Sequence, residues 1–509
     1  MADEKWIFKP RLYPHFDHAI FNQHEAAALV TDSPQVALHS FHPFLEYDLK
    51  NRKFAKHLEK LQNLECGKDI SDFDVNKLRS IKYAAHSDAQ IFSYYRFLLS
   101  QQYKQRLHQL GLNDNIIAYR KIPVLYGSEK GKCNIHFAKE SFDEIVKKKN
   151  VVAITLDISQ FFESLDHCFL EEKWCKLLER NKLPTDHEAV FKAITNYSIV
   201  NHTECYEKLD LIEIKKGKRC FLHCPIFIGK HKKMLCSKEE YRRLIVANGL
   251  VKKNEYGNKL IPQGIPQGSP MSDILANLYM IDFDLEMKKL EVQYNAYYRR
   301  YSDDILWICS PEYADTIEQI TKDVMLRQGQ ETLTINDKKT TMTFFKKSEE
   351  TLTYEGDKFS YLGFTFDGKK ALYRDATISN YKREVTFSIQ SFVKRAHIKG
   401  VGDEKKKIKG NGLSLRSNLN ISQIFHRIGY PNKEYIGKQR RKNADSRPTQ
   451  QKRVESNFMS YHLRALTIFN KDFNSTYKLC DQQLTNYKTQ FKKKIIDEAR
   501  KYDPHFNFK

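Results

Sequence analysis

At 509 residues with 41% apolar content, the chain is long enough for several subdomains around one or two cores, and too apolar for wholesale disorder. The formal net charge of +22 calls for a polyanionic partner, with nucleic acid and a membrane surface as the candidates. No apolar run reaches the roughly 18 residues of a membrane span, no signal peptide precedes Met1-Ala2-Asp3-Glu4-Lys5, and ten cysteines are scattered without a paired framework; a soluble cytoplasmic protein with no membrane partner is the expectation.

Residues 1–80 mix aromatics, histidines and charges, with a polar break near 65–72, and are expected to form an N-terminal extension of helices and loops. Residues 81–115 show helical periodicity through Ile91, Tyr94, Tyr95, Leu98, Leu99, Tyr103, Leu107 and Leu110, before Gly111 stops it. Residues 138–145 read as a short helix. Val151-Val152-Ala153-Ile154-Thr155-Leu156 is a buried-strand run ending in Asp157 and followed by Ile158-Ser159-Gln160-Phe161-Phe162. Cys220 and Cys224, with His231 and Cys236, have something of a metal spacing; the C-x3-C step is irregular for zinc, and the apolar residues around it read equally as strand core.

A Gly/Pro loop then carries the tetrapeptide Ile-Pro-Gln-Gly twice, at 261–264 and 265–268, and opens into an apolar-periodic helix through Ser272-Asp273-Ile274-Leu275-Ala276-Asn277-Leu278-Tyr279. Next comes Tyr301-Ser302-Asp303-Asp304, between an aromatic approach and the apolar exit Ile305-Leu306-Trp307-Ile308. It reads as a hairpin with acids at its turn. Leu333-Thr334-Ile335-Asn336-Asp337-Lys338-Lys339-Thr340 and Phe359-Ser360-Tyr361-Leu362-Gly363-Phe364 follow. From about residue 376 the chain turns helical and basic, with clusters at 394–395, 405–407, 438–442 and 452–453.

Adjacent carboxylates disfavour each other's ionisation, so a chain that keeps Asp303 and Asp304 together between apolar strands has a cation to place there. Asp157, at the end of a core strand, supplies a further acid. Two Mg2+ ions held about 4 Å apart by such oxygens form the clamp for phosphoryl transfer.

In this order the segments resemble a reverse transcriptase, in particular the bacterial retron, group II intron and abortive-infection or defence-associated enzymes. The resemblance covers roughly residues 115–370. It implies an α+β right-hand polymerase with fingers, a palm with an antiparallel sheet, a thumb, and a helical basic C-terminal region. The expected regions are 1–80 (N-terminal extension), 81–150 (fingers), 151–375 (palm), 376–450 (thumb) and 451–509 (C-terminal helices). Asp157 and Gln267 lie unusually far apart for the family, so about 200–258 reads as an insertion contributing to the fingers.

The resemblance also assigns roles. Asp157 and Asp303 are metal ligands with the carbonyl of Ile158 nearby, and Asp304 is the second acid, acting more through field and positioning. Phe162 falls at the sugar gate that excludes a ribose 2′-hydroxyl. Gln267 lies against the incoming nucleotide, the spacing to the helix favouring the second tetrapeptide copy. Arg120 is the fingers arginine for triphosphate oxygens, Lys339 sits near the departing pyrophosphate, and Leu362 and Gly363 grip the primer end. Asp273 departs from the family, which often has Pro after that Ser.

The activity implied is RNA-directed DNA synthesis from dNTPs with two Mg2+ ions, on an RNA template or a dedicated noncoding RNA, in bacterial antiviral defence. A homo-oligomer or a partner protein remains open. A template-independent or protein-primed DNA polymerase of the same fold shares these motifs. An RNA-dependent RNA polymerase is disfavoured by Phe162 and by YSDD in place of GDD; a non-catalytic RNA-binding scaffold is disfavoured by the presence of all three acids.

Overall fold

The computed structural model describes residues 5–11, 13–20, 22–52, 76–125, 128, 130–215, 218–221, 227–228, 231–232, 234–254, 260–348, 351–405, 419, 424, 457–470, 477–484 and 487–506. They mix helix and sheet and divide into two units. The first is Met1–Arg120, Leu156–Leu306 and Asp315–Thr340; the second is Lys121–Thr155, Trp307–Ala314 and Thr341–Lys509. These units interleave along the chain, whereas the regions expected from sequence are consecutive.

In the first unit, β1 (Phe44–Arg52) and β2 (Asn76–Tyr83) form a long antiparallel pair, from Leu45 opposite Tyr83 to Arg52 opposite Asn76. The expected extension of helices and loops is therefore in part sheet. Helix α1 (His86–Gln109) follows, burying Ile91, Phe92, Tyr95, Leu99, Tyr103 and Leu107 along one face. It starts later than its periodicity suggests, because the residues before it are committed to β2.

Strand β3 (Val151–Asp157) carries the first acid. Farther on, β4 (Ser198–Asn201) pairs in parallel with β1, and β5 (Val251–Lys253) pairs antiparallel with β4, giving a sheet of order β2-β1-β4-β5. The 200–258 segment thus begins and ends in one sheet with the N-terminal strands. Phe16 and Leu45 share a buried cluster with Val200, Cys205, Tyr206, Leu211, Leu235, Cys236 and Ile245. Cys236 is a buried thiol in that cluster. Cys224 lies outside the described residues, as do the basic stretches 438–442 and 452–453, and Cys220 and His231 are placed by backbone alone in short strands.

Helix α2 (Ser272–Tyr279) leads into α3 (Ile281–Gln293), then β6 (Tyr297–Tyr301) and β7 (Asp304–Cys309). Ile305 through Cys309 are fully buried, as a continuous apolar run in a central strand should be. The bounds of β6 and β7 leave Ser302 and Asp303 as a two-residue turn. The sheet containing this hairpin has the order β6-β7-β3-β8-β9.

In the second unit, β8 (Thr341–Ser348) pairs antiparallel with β3, from Thr341 opposite Thr155 to Phe345 opposite Val151, and with β9 (Thr351–Gly356) on its other edge. A further sheet holds β10 (Ser360–Tyr361), β11 (Phe364–Phe366), β12 (Lys370–Tyr373) and, in parallel with β12, β13 (Lys478–Leu479). Helices α4 (Asp375–Lys405), α5 (Phe458–Asn470) and α6 (Tyr487–Ala499) meet at Tyr381, whose ring lies 4.3 Å from Phe458 and 6.1 Å from Phe491. Phe142, on the helix Asn134–Lys148, stacks on Phe366 at 4.9 Å and contacts Phe469. The C-terminal helices accordingly share a core with the β10–β12 sheet.

Candidate active site

Asp157 ends β3, and the next peptide is held from both sides. The Ile158 N–H donates to the Asp303 carbonyl at 3.0 Å, and the Ser159 N–H donates to the Thr334 carbonyl at 2.9 Å. Asn336 closes the arrangement by donating its N–H to the Asp157 carbonyl at 2.8 Å. Residues 157 and 303, far apart in sequence, are therefore neighbours through the backbone. A short 3-10 turn, Asp337–Lys339, then brings the Lys339 ammonium onto Asp157 Oδ2.

The turn bearing Asp303 is fastened from inside. Ser302 has φ +60°, uncommon for a residue with a side chain, and is buried. Tyr119 donates its hydroxyl to Ser302 Oγ at 2.9 Å, and Arg300 Nη1 donates to the Ser302 carbonyl at 3.1 Å. Arg300 is fully buried and donates Nε and Nη2 to the two oxygens of Asp284 at 2.7 and 2.6 Å. Its Nη1 also reaches Asn277 Oδ1 at 3.2 Å, and Tyr298 donates its hydroxyl to Asp284 at 2.6 Å. Burial opposes the Arg300 charge, but the Asp284 carboxylate outweighs it and holds the guanidinium above its ordinary pKa. Asn277 Nδ2 in turn donates to the Ala118 carbonyl at 3.1 Å, tying α2 to the segment that carries Tyr119.

The Gly/Pro loop docks along the 3-10 turn Phe161–Ser164 and the start of the helix His167–Leu177. Gly264 N–H donates to Leu165 O and Ile265 N–H to Phe162 O, both at 2.8 Å. His167 Nε2 donates to the Gly264 carbonyl at 2.8 Å, and burial keeps its pKa below the usual imidazole value. Of the adjacent aromatics, Phe161 is in the core and Phe162 is half-buried, with ring centroids 5.5 Å apart.

The second tetrapeptide copy leans on β2: the Lys82 N–H donates to the Gln267 carbonyl at 2.8 Å. Gly268 sits at φ +114°, and a Cβ there would lie 2.6 Å from the Lys82 carbonyl, so a side chain is excluded on both counts. Gln267 is half-buried, whereas Gln263 is buried with its amide on the Glu163 carbonyl at 3.3 Å.

Other expected residues are placed differently. Arg120 directs its guanidinium into its own loop, with bonds of 2.7–2.9 Å to Asn113 O, Ile116 O and Asn113 Oδ1, and burial lowers its pKa. That arrangement suits a loop brace better than a ligand for triphosphate oxygens. Asp304 stands exposed at the start of β7. Among the described residues, no three His, Cys, Asp or Glu side chains are gathered into a metal-holding group. The backbone sets Asp157 beside Asp303, and Lys339 lies on one Asp157 oxygen. Leu362 and Gly363, in the second unit, form the β10–β11 turn with φ of +46° and +92°, the signs a tight two-residue hairpin requires.

The sequence reading missed the supporting residues. Tyr298 and Arg300 occupy the inward positions of β6, and an arginine at an inward strand position was the available signal for a buried ion pair. Asp273, the departure from the family pattern, is held by Arg96 of α1 through bonds of 2.7–3.0 Å to both its oxygens. Arg79, exposed on β2 three residues before Lys82, is a guanidinium on the strand that supports Gln267.

Residues 197–366 match the family described as reverse transcriptase (RNA-dependent DNA polymerase). The matched segment includes Gln267, Asp303, Asp304, Lys339, Leu362 and Gly363, while Asp157 and Phe162 precede it. The mixed architecture is consistent with a right-hand polymerase. Comparison with curated proteins found no match. Similar solved structures include an apo telomerase from Candida tropicalis truncated from the C-terminal domain, 13% identical, covering 58% of this chain and 51% of that one with a TM-score of 0.30. A telomerase from Candida albicans in complex with a TWJ fragment of telomeric RNA is 11% identical, covering 85% and 58% with a TM-score of 0.33. The apo telomerase from Candida tropicalis is 11% identical, covering 95% and 69% with a TM-score of 0.33. The chain spans about half the length of the first of these structures.

Proposed function

We propose that this protein is an RNA-directed DNA polymerase that extends a DNA strand from dNTPs by nucleotidyl transfer at Asp157 and Asp303. The observation that carries the reading is the 3.0 Å bond from Ile158 N–H to Asp303 O, which brings the two acids together at a strand end. Their carboxylates and the Ile158 carbonyl are hard oxygen donors, the set that suits Mg2+. When bound, two such ions would activate the 3′-hydroxyl and neutralise the leaving pyrophosphate.

The chain's own groups supply positioning and field. Asp304 adds negative field from its exposed position. Lys339, already on Asp157, is the cation for the oxygens of the departing pyrophosphate. Phe162, whose carbonyl holds the loop, presents a half-buried ring as the sugar gate, and Gln267 faces the nucleotide from the second loop copy. Arg79, exposed on the strand that supports Gln267, is the alternative triphosphate ligand to Arg120, whose donors are engaged in its own loop. Leu362 and Gly363 hold the primer end.

The +22 charge supports a nucleic-acid partner, an RNA template or a dedicated noncoding RNA with its DNA product. The motif resemblance supports a place in bacterial antiviral defence and in the cytoplasm. Among the described residues no helix is long and apolar enough to cross a membrane.

The test is dNTP incorporation on an RNA-template, DNA-primer hybrid, with Asp303→Asn as the control. The wild type should extend the primer, and the variant should lose about 10³-fold or more of that rate with an unchanged melting temperature. Retained incorporation by the variant overturns the assignment. Product from nuclease-treated wild type without added RNA points to the template-independent polymerase instead.

A further inference from the structure

We infer that the C-terminal segment sets the primer-grip turn, with Gln483 and His462 as positioning residues for the primer 3′ end; this rests on the polymerase reading above. Leu362 holds φ +46°, a conformation an L side chain keeps only where its surroundings over-determine it. The turn is closed by the Arg374 N–H, which donates to the Gly363 carbonyl at 3.0 Å, and by Arg374 Nε on Ser360 Oγ at 2.8 Å. What fixes Arg374 is the residue before it, the last of β12.

Tyr373 is held at three points by residues about a hundred positions downstream. Its N–H donates to Gln483 Oε1 at 2.8 Å, and Gln483 Nε2 donates back to its carbonyl at 3.1 Å. One side-chain amide thus takes the place of a strand partner. The Tyr373 hydroxyl meets His462 Nδ1 at 3.0 Å, and His462 Nε2 meets Asp481 Oδ1 at 2.8 Å. With Nε2–H donating to Asp481, neutral His462 accepts the tyrosine hydroxyl, and both Tyr373 and His462 are buried. Cys480 N–H donates to the Ala371 carbonyl at 2.9 Å, alongside the parallel β12–β13 pair.

The C-terminal segment therefore closes the outer edge of the strand on which the grip turn hangs. Removing the Gln483 amide frees both backbone groups of Tyr373, and with them the position of Arg374 and the Gly363 carbonyl. A loosened turn slows extension of a correctly paired primer end more than extension of one that is already misaligned.

The experiment measures single-nucleotide extension from a matched and from a terminally mismatched DNA primer on the same RNA template, using the full chain. The ratio of the two rates is unaffected by a reduced fraction of folded protein. Gln483→Ala and His462→Leu should each compress that ratio about tenfold. Gln483→Glu keeps the acceptor for Tyr373 N–H but loses the donor and should fall between; His462→Gln retains a donor and an acceptor and should restore much of the ratio. If Gln483→Ala does not fold, Gln483→Glu carries the test. Wild-type ratios in the folded variants overturn the inference while leaving the polymerase reading intact. A wild type that extends neither primer overturns both.

Discussion

The tetrapeptide Ile-Pro-Gln-Gly occurs twice in succession, and the two copies have different fates. In the first, Ile261 is exposed, Gln263 is buried with its amide on Glu163, and Gly264 is clipped by Leu165 and His167. In the second, Ile265 is buried, Gln267 stays half-buried, and the backbone leans on Lys82 of β2. One copy anchors the loop and the other presents it. Residue identity alone does not determine which glutamine is buried; the partner elements do.

The sharpest way to break that contrast is to remove each glutamine. Gln267→Ala should lower kcat/KM for dNTP about a hundredfold without moving the melting temperature. Gly268→Ala comes next: its Cβ meets the Lys82 carbonyl at 2.6 Å in a left-handed backbone, so about 2 kcal/mol of stability should be lost in denaturant unfolding.

Acid probes the support of the second copy. Burial pushes the His15 imidazole down to about 3, and its ring packs 5.8 Å from Tyr83 at the end of β2. Above pH of about 6.5 the group is neutral in both states and contributes nothing; below it the unfolded chain takes up a proton that the folded chain refuses. Stability should fall by about 1.4 kcal/mol from this group at pH 5.5, and His15→Gln should flatten that limb of a melting-versus-pH series. At the first copy His167 carries an effect of the same sign, because burial also holds its pKa below the usual imidazole value. Gln263→Ala is the smallest change: about 1 kcal/mol of stability for one lost bond, with dNTP kinetics unmoved.

The periodic and apolar signals were legible in sequence. The β3 run, the β6–β7 hairpin and the helix opening at Ser272 stand where residue patterning placed them, because each is dominated by local burial. The β1–β2 pair was not legible: Leu45 and Tyr83 find each other across a long separation, and β1's charged residues mask its alternation. The union of β4 and β5 with that pair escaped for the same reason. At the candidate site, the strand end at Asp157 and the turn at Asp303 were readable from the residue pattern, but Arg120's engagement with Asn113 and Lys339's hold on Asp157 depend on side-chain geometry that no spacing encodes.

The Arg300–Asp284 pair beneath the acidic turn is wholly dry. Charges sealed in this way lose little to their neighbours while both are present and cost about 3–5 kcal/mol when one is taken away. The tip is thereby steered from the interior of the molecule, and salt has little leverage over it. Solvent-facing positions around the turn are free to change while Asp303 keeps its place.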